Sequence, residues 1–428
     1  MKNNIYNREN SLALDAWLKL KANRSAMAGL FVILIAVIIS ILGANIRPDS
    51  SVDANHQIQQ IARLNPGSSV KHLKVRRNEE LEEVSFFGKL FFGGQSDSYK
   101  YIPINGFRFD SEFIIIEEYQ IESNNELPTY KSISIIDAMY PLSISEDDNY
   151  TILDDCNVSV LLFNNELIKA SIAAIKTDIE QNNIVKKTYL LGTDKQGRDM
   201  LSRLMAGTIV SLSVGLIAVL ISLIIGLLFG ALAGYFRGWV DDVIMWFINL
   251  VWSIPGLLLV ISLTLIIGKG FTTIFFAVGL TMWVELARIV RGQILSIREK
   301  EYIIASRALG YSNFRIIWKH IFPNILGPVV VICASNFAAA ILIEAGLSFL
   351  GIGVQIPMPS WGFMIEQHKG LIMDADKAYL ALLPGLAIII LVFAFMTLGN
   401  GLRDALDNRE DSLSNQSKLK GAPIDQPI

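Results

Sequence analysis

Six stretches of this chain are apolar enough over a long enough run that a lipid bilayer is their natural solvent. A helix crossing the hydrocarbon core needs about 20 predominantly apolar residues. Runs near that length are Ala26–Ile46, Gly207–Phe236, Val243–Ile267, Gly270–Ala287, Ile325–Ile343 and Ala378–Leu402. The fourth is the shortest: Phe271–Val284 supplies 14 uncharged residues before Glu285, which places that acid near the membrane boundary. A hydrophobic share of 52% over 428 residues, with a mean hydropathy of +0.43, excludes an ordinary soluble protein. The expectation is an all-α polytopic membrane protein with six transmembrane helices.

Loop charge orients these spans, because Lys and Arg in short loops are retained in the cytoplasm whereas long domains translocate largely regardless of charge. Residues 1–25 carry five (Lys2, Arg8, Lys19, Lys21 and Arg24), and Arg288–Lys319 carries seven, against two in Glu344–Lys377. The 1–25 tail and the second basic segment therefore face the cytoplasm, and six spans return the 408–428 tail to the same side. The first span, 26–46, has no small-residue cleavage pattern behind it and reads as a retained signal anchor. The same parity puts residues 47–206 outside. Of these, 47–190 read as a soluble α+β insert: Lys131–Ile136 alternates like a half-buried strand, and Glu166–Gln181 reads as a helix. Thr193 and Gln196 stand at capping-box spacing, so an external amphipathic helix is expected over 191–206, leading into the second span.

The cytoplasmic stretch EYIIASRALGYSNFRIIWKHIFPN, Glu301–Asn324, is basic and amphipathic. Ile304, Ala305, Ala308 and Leu309 share one helical face while Lys300 and Arg307 stay wettable. Gly310 suits the left-handed residue that ends a helix, and Ser312 suits the cap of the next. In that second helix Phe314, Ile317, Trp318 and Ile321 recur at i, i+3, i+4 and i+7, and Pro323 is expected to stop it. The small shoulder Ala305–Ala308 invites close approach by another protein; an interfacial hairpin that anchors the spans is the alternative.

Other features are read structurally. Small residues recur along the second run at Gly207, Ser211, Gly215, Ser222, Gly226, Gly230 and Gly234, a pattern that lets helix backbones pack closely in lipid. Pro255 and Pro384 interrupt their spans, read first as kinks for packing, with Pro255 alternatively a hinge lining a translocation pathway. Asn336 and Glu344 are further pathway candidates, Glu344 as a solvated or Arg-paired acid near the outer boundary. Trp361 is read either as part of a pathway-closing external loop or as an aromatic interfacial anchor. No catalytic constellation accompanies Arg198 and Asp199. His56, His72, His320 and His368 lie on loops without metal-ligand spacing, and Cys156 and Cys333 suggest neither a disulfide framework nor a zinc site. The phosphate-binding pattern GxxxxGK[ST] is absent, since neither Gly88-Lys89 nor Gly268-Lys269 precedes Ser or Thr. Any ATP-driven process must therefore draw its nucleotide from another subunit.

The segment Leu191–Asp407 resembles the permeases of ABC importers, in particular the oligopeptide, dipeptide and nickel family. The resemblance runs through LGTDKQGRDMLSRL (191–204), GALAGYFRGWVDD (230–242), IPGLLL (254–259), EYIIASRALG (301–310), HIFPN (320–324), EAGLSFLGIG (344–353), PMPSWG (357–362) and GNGLRDALD (399–407). It implies a type I importer permease fold, with a core over 207–407 and a coupling loop over 291–324. By the same resemblance Glu301, Ile304, Ala305, Ser306, Arg307, Gly310, Phe314, Ile317, Trp318 and Ile321 contact an ATPase subunit. Two positions depart from the pattern: Ile304 stands where the family usually carries Glu, and Ser306 where it carries Ala. Implied partners are ABC ATPase subunits holding ATP and Mg²⁺, a second homologous permease and an extracytoplasmic substrate-binding protein, with membrane lipid around the spans. This chain itself is expected to bind no cofactor, metal or nucleic acid and to perform no enzyme chemistry. Peptides are the expected cargo, with nickel or another small solute as the alternative. From a different class, a membrane-anchored sensor or scaffold with an external ligand-binding domain fits the insert.

Overall fold

All six apolar runs are helical, as the need to satisfy backbone hydrogen bonds inside lipid demands. The computed structural model describes residues 12–79, 85, 94–120, 127–142, 150–154, 157–162, 164 and 166–406. The first 11 residues, the expected 408–428 tail and Cys156 lie outside them. Within the expected 1–25 tail, α1 (Leu12–Ala22) is already helical. It breaks at Asn23, whose side chain accepts from the Ala26 amide at 3.2 Å and so starts α2 (Arg24–Ile46). The chain then forms two compact units. One takes its described residues from Met1–Val37, Ser211–Gln355 and Gly385–Ile428, the other from Ile38–Val210 and Ile356–Pro384.

The second unit holds most of the segment between α2 and the next span. A five-stranded antiparallel sheet runs in the order β4-β3-β2-β1-β8, from β1 (Ser68–Arg76), β2 (Tyr99–Asp110), β3 (Phe113–Glu118), β4 (Tyr130–Ser134) and β8 (Ile184–Tyr189). A second sheet orders β5 (Tyr150–Asp154), β6 (Asn157–Leu161) and β7 (Leu167–Ser171). Two short helices, α3 (Ile135–Met139) and α4 (Ile172–Asp178), complete a core in which Leu73, Ile104, Ile114, Ile116, Ile135, Val158, Val160 and Ile179 are buried. The strand expected over Lys131–Ile136 thus ends at Ser134, whose hydroxyl accepts from the Ile136 amide and turns the chain into α3. The helix expected over Glu166–Gln181 starts only at Ile172, because Leu167–Ser171 pairs in antiparallel register with Leu161–Asn157.

His72 lies not on a loop but inside β1, fully buried. A carbonyl only accepts, so the imidazole Nδ1–H donates to Val70 O at 3.1 Å and Nε2 accepts from the Tyr189 hydroxyl at 3.2 Å. Burial, reinforced by Lys187, pushes its pKa from 6.5 down to about 4.

The expected amphipathic helix over 191–206 is corrected: Leu191–Asp199 is a series of turns and helix begins only at Met200. Competing side-chain bonds explain this. The Asp194 carboxylate accepts from the Gln196 and Arg198 amides at 2.8 and 3.0 Å and pairs with Arg198 Nε at 2.6 Å. The Thr193 hydroxyl is taken up by the Leu64 amide at 2.8 Å. The helix cap is Asp199, which accepts from the Ser202 amide at 2.7 Å.

From there α5 (Met200–Phe236) runs 37 residues. The expected third span is broken: α6 (Trp239–Trp252) and α7 (Gly256–Ile267) meet at 86°. Pro255 supplies no amide hydrogen and disfavours a helical conformation in the residue before it, so the helix cannot continue through it. Next come α8 (Phe271–Arg298), α9 (Glu301–Ala308), α10 (Asn313–Ile316), α11 (Phe322–Phe349), α12 (Trp361–His368) and α13 (Tyr379–Leu406). Five helical stretches of the described residues are long and apolar enough to cross a membrane, six if the bent pair counts as one. Pro323 does not stop a helix. It directly follows the wider turn over Ile317–Ile321, and Asn313–Phe349 runs through it as one helical stretch.

The small-residue pattern of α5 is used within this chain, against α8. A Cβ on Gly226 would lie 2.5 Å from Leu286, on Gly230 2.6 Å from Ala287 O, and on Gly234 2.9 Å from Ile294. Gly215 meets the Phe337 ring of α11 in the same way, at 2.3 Å. Gly230→Leu is therefore expected to destabilise the bundle by about 1–3 kcal/mol, read as a lowered thermal midpoint of the detergent-purified chain. An unchanged midpoint would refute the close approach.

His72 makes a second prediction. Its folded pKa is depressed, so the unfolded chain binds the extra proton, and stability is lost as pH falls from 6.5 towards 4. The loss amounts to about 3 kcal/mol over that window, from 1.36 kcal/mol per unit. Amide hydrogen exchange in β1, corrected for intrinsic rate, should accelerate at pH 5, and His72→Gln should abolish that extra acceleration.

Candidate docking site

The basic stretch folds into two short helices and a turn, all within the first unit. α9 ends at Ala308 with Leu309 as its C-cap, and Gly310 takes φ +77°, the left-handed conformation that closes helices cheaply only without a Cβ. Its amide donates to Arg307 O at 2.9 Å and that of Tyr311 to Ser306 O at 3.2 Å. Ser312 caps α10 by accepting from the Arg315 amide. A wider turn over Ile317–Ile321 then joins α10 to α11.

The pair is seated by residues of opposite accessibility to those it displays. Ile303, Ile316 and Ile321 are fully buried in a cluster with Tyr235 of α5, Leu286, Val290, Ile294 and Ile297 of α8, and Ile325 and Val329 of α11. The rim is polar. The Tyr235 hydroxyl donates to Asn313 Oδ1 at 2.8 Å, and Arg298 Nη1 donates to Tyr235 O at 2.8 Å. Arg307 lies over the Tyr235 ring at 5.1 Å, and Arg291 is held by both Asp241 oxygens at 2.6 and 2.7 Å.

Facing away is an apolar surface with Ile304 54%, Leu309 73%, Phe314 76% and Trp318 61% exposed. Phe314 and Trp318 stack nearly parallel, 6.3 Å between centroids. Glu301, Ala305, Arg307 and Gly310 are exposed on the same pair of helices. Three expected contact residues fall elsewhere. Ser306 faces inward and bonds to Tyr302 O, Ile321 is part of the seat, and Ile317 is half-buried. Ile303 and Ile316, which anchor the pair, escaped the sequence reading because apolar residues occur on both faces of α9 and α10, so periodicity alone does not tell the buried face from the displayed one.

The expected pathway residues disperse. Pro255 is exposed at the α6–α7 break, and Asn336 is buried in α11. Glu344 is not a solvated acid at a boundary. It is fully buried, with Ser348 Oγ donating to Oε1 at 2.8 Å. Trp361 is no interfacial anchor: it is buried, its indole N–H donates to Leu204 O at 3.0 Å, and its ring covers Gly207.

Spans with interlocked glycines and a helix pair that displays an apolar face define a polytopic membrane protein. The model of the binding-protein-dependent transport system inner membrane component matches residues 226–412, and that of the N-terminal TM domain of oligopeptide transport permease C matches residues 11–66. The dipeptide transport system permease protein DppC of Bacillus subtilis is 42% identical over 53% of this chain and 71% of its own length. The glutathione transport system permease protein GsiD of Pectobacterium atrosepticum is 40% identical over 51% of this chain and 72% of its own. Among solved structures, an inward-facing conformation of the MetNI methionine ABC transporter aligns at 19% identity over 49% of this chain and 98% of that one, with a TM-score of 0.42. The chain belongs to the family of inner-membrane permeases of binding-protein-dependent ABC transport systems.

Gly310→Val tests the turn. A β-branched residue at positive φ costs about 1–3 kcal/mol, so limited proteolysis after Arg307 should rise several-fold while the spans stay folded. Unaltered cleavage would refute the role of Gly310.

Proposed function

We propose that this chain is the permease subunit of an ATP-driven importer of peptides, working by alternating access. The observation that carries the reading is the division of Glu301–Ile321 into a buried seat and an exposed apolar face. A partner pushing on Phe314 and Trp318 would move Ile303, Ile316 and Ile321, and with them the ends of α5, α8 and α11. That partner is an ABC ATPase subunit, which holds ATP and Mg²⁺. A second permease completes the pathway, and a substrate-binding protein delivers cargo to the outer side. Both tails face the cytoplasm in this reading, and residues 47–206 lie outside. With Ile304 in place of the usual carboxylate, docking relies on apolar contact around the aromatic stack. Peptide cargo is supported by the dipeptide and glutathione transport named in two relatives.

Because Phe314 and Trp318 are exposed, their removal should spare folding and weaken docking. Co-expression with ABC ATPase subunits that the wild-type chain retains should show the Phe314→Ala, Trp318→Ala double variant retaining roughly tenfold less ATPase, about 1.4 kcal/mol, at unchanged abundance of this chain. Full retention would overturn the docking role. In the reconstituted complex, short peptides should stimulate ATP hydrolysis and a nickel chelate should not; the reverse pattern would move the cargo assignment.

A further inference from the structure

At the root of the insert, the 48–58 loop, the start of β2, the end of β8 and the turn before α5 enclose a cavity of about 280 Å³. That is at the small end of the roughly 300–1,000 Å³ typical of small-molecule pockets. All its lining residues belong to one unit. Its wall carries one ammonium, Lys187, and three carboxylates, Asp49, Asp97 and Asp199.

Lys187 is half-buried with Nζ 3.4 Å from the centroid of the Tyr101 ring, and no carboxylate of the described residues lies within 4.0 Å of it. An ammonium over an aromatic face keeps N–H donors free for an anion. Burial lowers its pKa, an effect a bound carboxylate would offset.

The acids are held by backbone amides, Asp199 by the Ser202 hydroxyl as well. Asp49 accepts from the Ser51 and His56 amides at 2.9 and 3.2 Å, Asp97 from the Tyr99 amide at 3.0 Å, and Asp199 from the Ser202 amide at 2.7 Å. Each carboxylate offers about four acceptor positions, so capacity is left for a ligand ammonium. Among the described residues no three His, Cys, Asp or Glu are placed to hold a metal ion, so the acids do not form a cation cage.

We infer that this cavity binds a compact zwitterion, the size of an amino acid or dipeptide, with its carboxylate on Lys187 and its ammonium against the acidic wall. The site does not require the docking face, so the two readings fail separately.

Glycylglycine is the probe, titrated calorimetrically into the full chain in nanodiscs, with acetate and ethylammonium as its two half-ligands. Saturable glycylglycine binding is expected, at least roughly tenfold tighter than either half-ligand. Lys187→Met should weaken it by a further factor of roughly ten, whereas Lys186→Met, exposed on the same strand, and the Phe314→Ala, Trp318→Ala variant should bind as the wild type does. Should Lys187→Met fold poorly, slower acetylation of the wild-type Lys187 amine in the presence of glycylglycine, measured by mass spectrometry, decides the point. Absence of saturable binding, a half-ligand binding as tightly as glycylglycine, undiminished binding by folded Lys187→Met, or unprotected Lys187 would each overturn the proposal.

Discussion

Between α5 and α8 there is no room for a side chain. Gly226, Gly230 and Gly234 let the backbone of one helix rest on Leu286, Val290 and Ile294 of the other. In lipid no hydrophobic force drives helices together, so dispersion contacts from close approach must do it. The same α8 face then runs on, through Ile294 and Ile297, into the cluster that buries Ile303, Ile316 and Ile321. The surface helix pair is therefore packed on the same α8 face that the glycine seam holds against α5.

Breaks in the helices are placed by specific chemistry. Pro255 divides the third apolar run at 86°, whereas Pro328 and Pro384 remain inside continuous helices. Neighbouring packing can satisfy the carbonyls these residues free, so a proline permits a break without dictating one. Pro323 is a further case: it follows the wider turn over Ile317–Ile321, and the helical stretch runs on through it.

Much of the candidate site was legible in residue order. The turn at Gly310 and the cap at Ser312 follow from local stereochemistry, and both are found. Ile304, Phe314 and Trp318 are displayed, but Ile317 and Ile321, which the pattern placed on one face with the two aromatics, are half-buried and buried. The buried face was not legible, since Ile316 and Ile317 are neighbours of equal hydrophobicity and only the position of α8 decides which is covered. The insert shows the same limit. Leu167–Ser171 has helix-compatible composition, and its pairing with β6 is a non-local contact that no window of sequence contains. Thr193 and Gln196 matched a capping pattern, but Leu64 and Asp194 claimed the donors and acceptors first.

By itself the sequence determined the place of the apolar runs, the family, the Gly310 turn and the absence of a phosphate-binding loop, because each depends on residues adjacent in the chain or on composition. Tertiary structure alone decided which glycines meet which helix, which isoleucines hold the surface pair, that Glu344 and Trp361 are buried, and that Lys187 shares a cavity with three acids. Those facts turn on distances between segments far apart in the chain, and burial is a property of the neighbours a residue acquires rather than of the residue.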